Sequence, residues 1–297
     1  MAGQGVEPVL GVIGGSGIYE LAELAGAQWV RVASSFGEPS DELLIGEAAG
    51  NRLVFLPRHG RGHRIPPSEV NYRANVDAMK RAGVTDLISL GACGSLREDL
   101  APGTFVLVDQ FVDRTHARDK SFFGTGCVAH VSMASPVCAR LIGCIEVAAG
   151  ADAVVRGGTY LAMDGPQFSG RAESELYRAW GCDVIGMTNM PEAKLAREAE
   201  ICYASIAMVT DYDCWHDDHG AVEVADIVAV LHANAERGRS LVAELARSFS
   251  QRPAVCSEGC DRALDTAIIT PPEARDPAIM RRLDAVAGRI LLAPERS

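Results

Sequence analysis

The chain of 297 residues has no lysine before Lys80, and no apolar run in it approaches the ~18 residues of a membrane-spanning helix. The first absence removes an ATP or GTP P-loop from the glycine-rich segment VIGGSGIYE at 12–20, because that loop needs a lysine on the terminal phosphates. The second leaves no membrane span. The opening MAGQGVEP also lacks the basic start and apolar stretch of a secretory signal, so a cytoplasmic location and no membrane partner are expected. A third glycine is missing as well. Counting G-x-G-x-x-G from Gly15 and Gly17 puts Glu20 in the last slot, which weakens a dinucleotide-binding reading. Positive charge is scarce, and a formal net charge of −11 argues against a nucleic-acid partner, whose phosphates would need clustered Lys and Arg. There is no internal repeat and no low-complexity linker. No G-x-S-x-G elbow ends a strand-like run, so a covalent serine is not indicated.

Nine cysteines, an odd number without framework spacing, indicate reduced thiols. Cys144 and Cys202 lie in apolar runs and read as small hydrophobes. Cys256 and Cys260 resemble half of a zinc site, but a second pair at matching spacing is missing, so no metal is expected. His216 and His219, three apart in an acidic loop, read as part of an exposed turn capping the next helix rather than as ligands.

What is present is an ordinary globular composition, with 48% hydrophobic and 23% charged residues, and enough chain for a substantial core. Apolar runs of strand length occur at 9–13, 51–57, 85–92, 103–110, 158–165, 182–187 and 201–209. Helix-like segments lie at 71–82, 135–149, 171–180, 190–199 and 221–248. Such alternation indicates an α/β fold with a largely parallel or mixed sheet, whose ligands sit at the carboxyl ends of the strands. The tail from Gln251 reads as an appended helical segment, with helix-like patches around Ala263 and Met280.

The strand ends therefore hold the candidates. After the first run, backbone N–H groups and the Ser16 hydroxyl suit a small anion, although a plain tight turn is equally open. Arg58 and His59 follow the second run directly, offering a guanidinium fork and an imidazole that can donate a further hydrogen bond. The turn from Gly91 and Ala92 to Gly94 offers more N–H donors, and Thr188 adds a hydroxyl. Asp211 and Asp213 close the last run with one residue between them. A strand period of two puts both on one face, where repulsion raises one pKa and keeps a proton available. A protonated carboxyl beside an ionised one suits the edge of an aminopurine.

Taken in order, IGGSG, RHG followed by PPSEVNYRAN, GACGSLRE, VDQFVDRT, GPQFSGRAES, GMTNMPEAKLARE and ICYASIAMVTDYDCW resemble the 5′-methylthioadenosine phosphorylases. These form part of the trimeric branch of the purine nucleoside phosphorylase superfamily. The resemblance runs from about residue 10 to about residue 250, and DYDCW separates it from the inosine and guanosine phosphorylases.

The resemblance implies an α/β fold in a single domain, with a central mixed, partly barrel-like sheet flanked by helices. Residues 1–250 would form the nucleoside phosphorylase domain and 251–297 a helical extension packed on it. The implied reaction is phosphorolysis of 5′-methylthioadenosine to adenine and 5-methylthioribose 1-phosphate, with phosphate as co-substrate and no cofactor. Inosine, guanosine or methylthioinosine is the alternative substrate.

Ser16, Arg58, His59, Gly91, Ala92 and Thr188 would hold phosphate, and the Met187 backbone would meet the ribose. Phe168, Ser169, Asp211, Tyr212 and Asp213 would surround the base. Asp211 would donate a proton near N7 and Asp213 would accept from the 6-amino group. Val224, Val228 and His130 of a neighbouring subunit would border the methylthio group in a homotrimer. Two positions depart from relatives: Gly91 stands where some have threonine, and Gln167 where animal members have arginine.

Overall fold

The computed structural model describes residues 7–15, 18, 24–150, 154–216, 224–249 and 255–291, with 224–227 described for the backbone only. Seven apolar runs become strands: β1 (Leu10–Gly14), β4 (Asn51–Pro57), β5 (Asp86–Ser95), β6 (Phe105–Val108), β9 (Thr159–Ala162), β10 (Val184–Gly186) and β11 (Cys202–Asp211). Four more strands carry no comparable apolar signal: β2 (Ala25–Val30), β3 (Leu43–Ala48), β7 (Gln110–Asp113) and β8 (Val154–Arg156).

Every strand among the described residues joins one sheet, whose path runs β2-β3-β4-β1-β5-β10-β9-β7. A branch leaves β5 through β11 to β6 and β8. The expected mixed sheet is present, and it branches at β5 rather than closing into a barrel. β5 and β11 are apolar along both faces because both are covered, as expected of parallel strands packed between helices.

The helices are α1 (Tyr72–Arg81), α2 (Ala139–Ala149), α3 (Arg171–Ala179), α4 (Asn189–Glu198), α5 (Val224–Ser248), α6 (Pro277–Arg282) and α7 (Gly288–Leu291). α1 starts where the Asn71 side chain accepts from the Ala74 N–H at 3.1 Å, and it ends on Lys80 and Arg81, which suit the negative pole of the helix dipole. No described helix is long and apolar enough to cross a membrane. The tail contributes to the same core through Leu264, Leu283, Val286 and Ala287. It also pairs with the segment before α2, where His130 N–H donates to Ala267 O at 2.9 Å.

Two sequence expectations change here. The GACG segment is not a turn, because β5 runs on through Gly91, Ala92 and Gly94 to Ser95 under the grip of β11. Cys256 and Cys260 do have a second pair: Cys138 and Cys202 bring all four sulfurs within 4.8 Å of one another. Spacing could not reveal it, since the four thiols come from three distant parts of the chain.

Candidate active site

β5 has two different neighbours along one edge. β1 pairs with it from Asp86 to Leu90, and β10 takes over at Gly94 and Ser95. Between these points Gly91 to Cys93 have a strand partner only on the β11 side. Where β1 and β10 diverge, a cavity of about 490 Å³ opens, as expected at a switch point of an α/β sheet. Gly15, Arg58, His59, Gly91, Ala92 and Thr188 line one part of it, and Asp211 and Asp213 line another.

At the first end Gly15 continues the ladder, its N–H donating to Leu90 O at 2.9 Å. A Cβ there would lie 2.9 Å from both Leu90 O and Arg58 Nη1, so only glycine lets the chain pass so close to the guanidinium. Arg58 is completely buried. Its fork, expected to grip an anion, is instead held by Glu192, with Nε at 2.9 Å and Nη2 at 3.3 Å from the carboxylate. Nη2 also donates to Ser89 Oγ at 2.6 Å and Nη1 to Leu90 O at 3.2 Å. Of the five guanidinium N–H groups, one on Nη1 has no hydrogen-bond partner among the described residues. Burial is the largest single influence on the Arg58 pKa and lowers it, but the charge and hydrogen bonds of Glu192, with smaller help from Tyr203 and Tyr72, outweigh it and leave the value raised.

His59 faces the same end. Its Nδ1 donates to Ile65 O at 2.8 Å, which leaves Nε2 of the neutral ring as an acceptor. Burial, with the neighbouring Arg58 charge second, pulls its pKa down to about 4. Nε2 therefore accepts at neutral pH rather than donates, and the P–OH of a protonated phosphate matches it. Thr188 Oγ1 makes no capping bond on α4. Ser16 lies outside the described residues.

At the other end β11 stops at Asp211, after an irregularity in its register, and Asp213 opens a 3-10 turn with φ of 53°. The two acids are therefore not alternate residues of one strand. The turn unites them, with the Asp213 N–H donating to Asp211 Oδ1 at 2.8 Å. Thr210 Oγ1 donates to Asp211 Oδ2 at 2.7 Å. Both pKa values are raised, and burial is the main cause in each; the Asp211 charge contributes to Asp213 only secondarily. Asp213 Oδ2 is buried and makes no close hydrogen bond among the described residues, while the Ser174 hydroxyl beside the carboxyl lowers its pKa against the effect of burial. Gly94 lies beneath the pair, where a Cβ would come within 3.1 Å of Asp211 Oδ1.

The wall between the ends is apolar, made by Met163, Phe168, Ile185, Met187 and Leu231. Phe168 is 56% exposed at the rim, with a face free to cover a flat ring. Met187 also lines the cavity, and its carbonyl accepts from Arg118 Nη1 at 2.7 Å.

Four expected residues lie apart. Ser169 is buried against Met163, its Oγ 3.5 Å from the Met163 sulfur, and does not line the cavity. Tyr212 points away, donating to Glu98 O at 3.2 Å and stacking on His216. Val228 is exposed and outside the lining, while Leu231 on the same helix face enters it; the side chain of Val224 is outside the described residues. His130 is exposed and borders a separate cavity with Lys120, Phe123 and Glu198.

Arg118 and Glu192 escaped the sequence reading. Arg118 bonds the carbonyls of Asp164, Met187 and Met190 and the Tyr72 hydroxyl, at 2.7–3.1 Å, and so ties together three segments behind the cavity. Nothing local marks either residue, because their partners lie far away in sequence.

A sequence profile of the phosphorylase superfamily matches residues 9–247, and the chain belongs to that superfamily. Within it, the chain is 63% identical over 289 residues to the S-methyl-5′-thioadenosine phosphorylase of Bradyrhizobium diazoefficiens, covering 96% of this chain and 99% of that one. The enzyme of the same name from Cereibacter sphaeroides is 59% identical over 288 residues, with 96% and 99% coverage. Among solved structures, a methylthioadenosine phosphorylase from an Antarctic soil metagenomic library superposes with a TM-score of 0.86 at 43% identity, covering 95% of this chain and 99% of that one. The Schistosoma mansoni methylthioadenosine phosphorylase in complex with adenine gives 0.75 at 40% identity, covering 80% and 90%.

Proposed function

We infer that this chain catalyses phosphorolysis of 5′-methylthioadenosine, releasing adenine and 5-methylthioribose 1-phosphate. The observation that carries the reading is that one cavity contains both an anion end and a buried acid pair, joined by an apolar wall. Phosphate is the co-substrate, and the chemistry requires no organic cofactor.

Cleavage of the N9–C1′ bond leaves positive charge on the ribose and negative charge on the purine. Phosphate at Gly15, Arg58, His59, Gly91, Ala92 and Thr188 offsets the first, and holding it in line with C1′ removes much of the entropic cost of the encounter. Asp211, whose pKa burial raises, is placed to donate near N7 and neutralise the departing adenine. Asp213 has acceptor capacity unfilled, which suits the 6-amino group; a 6-oxo base would set acceptor against acceptor. Phe168 covers the base, and Leu231 adds to the apolar surface that favours methylthio over hydroxyl.

The site works in a homotrimer in this reading. Support comes from His130, which is exposed and apart from its own cavity, as a residue lent to a neighbour would be.

The direct test is adenine release from 5′-methylthioadenosine with and without phosphate, with inosine and guanosine in parallel. Release only with phosphate is expected; release without it marks a hydrolase, and preference for the 6-oxopurines refutes the acid-pair reading. Asp211→Asn is expected to lower kcat by about 10²–10⁴ while leaving the phosphate KM nearly unchanged.

A further inference from the structure

On the far side of the fold from any assigned chemistry, Cys138, Cys202, Cys256 and Cys260 are at most 3% exposed and unbonded to one another. Their sulfurs all lie within 4.8 Å of one another, and Cys138 Sγ and Cys256 Sγ are 3.7 Å apart. Four thiolates around a tetrahedral zinc ion, with Zn–S of about 2.3 Å, stand about 3.8 Å from each other. The cluster thus already has nearly the size of a tetrathiolate cage. We propose that these four cysteines form a structural zinc site that fastens the C-terminal tail to the sheet.

Each donor is held by backbone rather than left to swing. Cys138 caps α2, where the positive pole of the helix favours a thiolate, and its N–H donates to Tyr203 O at 2.8 Å. Cys202 is the first residue of β11, anchored by its N–H to Thr85 O at 3.1 Å. Cys256 and Cys260 flank a tight turn in which Gly259, with φ of 67°, donates to Cys256 O at 3.0 Å. Asp261 fixes that turn by accepting from the Cys256 N–H at 2.8 Å. The C-x₃-C spacing falls within the range of zinc-binding turns. Arg140 lies against Cys138 and Cys202 and also pairs with the buried Asp86, so its charge is shared between that carboxylate and the thiolates. All four coordination positions are filled by protein and the site is buried, so no position is open for substrate; such closed sites are structural.

The site adds a metal tie to parts that otherwise meet by packing, by hydrogen bonds such as Leu264 N–H to Glu200, and by the Arg289–Glu200 ion pair. Cys138 and Cys202 sit in the stretch covered by the superfamily profile, which ends at 247, whereas Cys256 and Cys260 lie beyond it. Binding moves four thiol protons to solvent and forms four Zn–S bonds, with no change of oxidation state.

The test is metal analysis of the full chain purified without chelator or added metal. About one zinc per chain is expected. Cobalt(II) added to chelator-stripped protein should give thiolate-to-cobalt charge-transfer and tetrahedral d–d bands. Cys256→Ser/Cys260→Ser should lose the zinc, whereas Cys144→Ser/Cys182→Ser should keep it. Stripping the wild type should lower Tm by on the order of 5 °C or more, reversibly on adding zinc. Protein that holds no zinc, holds iron in its place, or carries the four sulfurs as two disulfides by mass spectrometry would overturn the proposal. The wild-type zinc content and cobalt spectrum decide the matter even if the double variant folds poorly.

Discussion

At the scale of single residues, burial rather than mutual repulsion sets the protonation of the site. Asp211 and Asp213 are both raised by loss of solvent, and the bonds from Thr210 and from the Asp213 N–H oppose the rise at Asp211. The same effect acts on His59 with opposite sign, because burial disfavours a cation there. Its pKa falls from 6.5 to about 4 on folding, so between these values the unfolded chain binds the proton more readily. The neutral ring therefore contributes full stability above 6.5, and this is lost as the pH falls toward 4. The loss is on the order of 3 kcal/mol when complete, at 1.36 kcal/mol per pKa unit. Urea unfolding of the wild type and His59→Gln at a series of pH values should show the difference between them narrowing below 6.5; a constant difference would mean that His59 titrates normally. Only the residue types were legible in the sequence here. That Arg58 turns its fork to Glu192, and His59 its Nδ1 to a carbonyl, depends on partners that the local sequence does not name.

At the scale of elements, the site is a consequence of two strands leaving β5 in different directions. Gly15 keeps the ladder going for one residue beyond β1 and passes against Arg58. Gly15→Ala puts a methyl 2.9 Å from Leu90 O, a backbone atom that cannot swing aside. The expected result is a loss of about 1–3 kcal/mol in stability, with the phosphate KM raised more than that of the nucleoside. Steady-state kinetics varying each substrate in turn check it, and equal effects on both would place Gly15 outside the anion end. Among the strands, those with long apolar runs were readable, because being covered on both faces leaves an uninterrupted signal. β2 is exposed along almost its whole length, and β8 has only three residues, so neither leaves a pattern distinguishable from a loop. The acid pair was found by its spacing for a reason that does not hold in the fold: a turn, not strand alternation, brings the two carboxyls together.

At the scale of the whole molecule, a chain of net charge −11 that takes an anionic co-substrate must confine its cations, and the cavity is lined by Arg64 and by Arg58, the latter paired with Glu192. His130 is one of the expected residues that a single chain does not bring to its own site, and it borders a cavity of its own. If it completes a neighbour's, His130→Ala and Asp211→Asn variants, each weak alone, should regain activity when unfolded together and refolded as mixed assemblies. Sedimentation of the same samples should show trimers, and the absence of any regain would return His130 to a surface role. The tail bears on this through its backbone bond from His130 to Ala267, so the segment that carries the histidine rests on the C-terminal extension.

By itself the sequence determined the layer architecture, through apolar periodicity, and the chemical types gathered at the strand ends, because glycine, arginine and paired acids have few other uses there. It could not determine which edge of Arg58 faces the cavity, that Tyr212 turns away, or that Cys138 and Cys202 meet Cys256 and Cys260. Those depend on contacts between residues far apart in the chain, and such contacts exist only after the sheet has branched and the tail has folded back onto it.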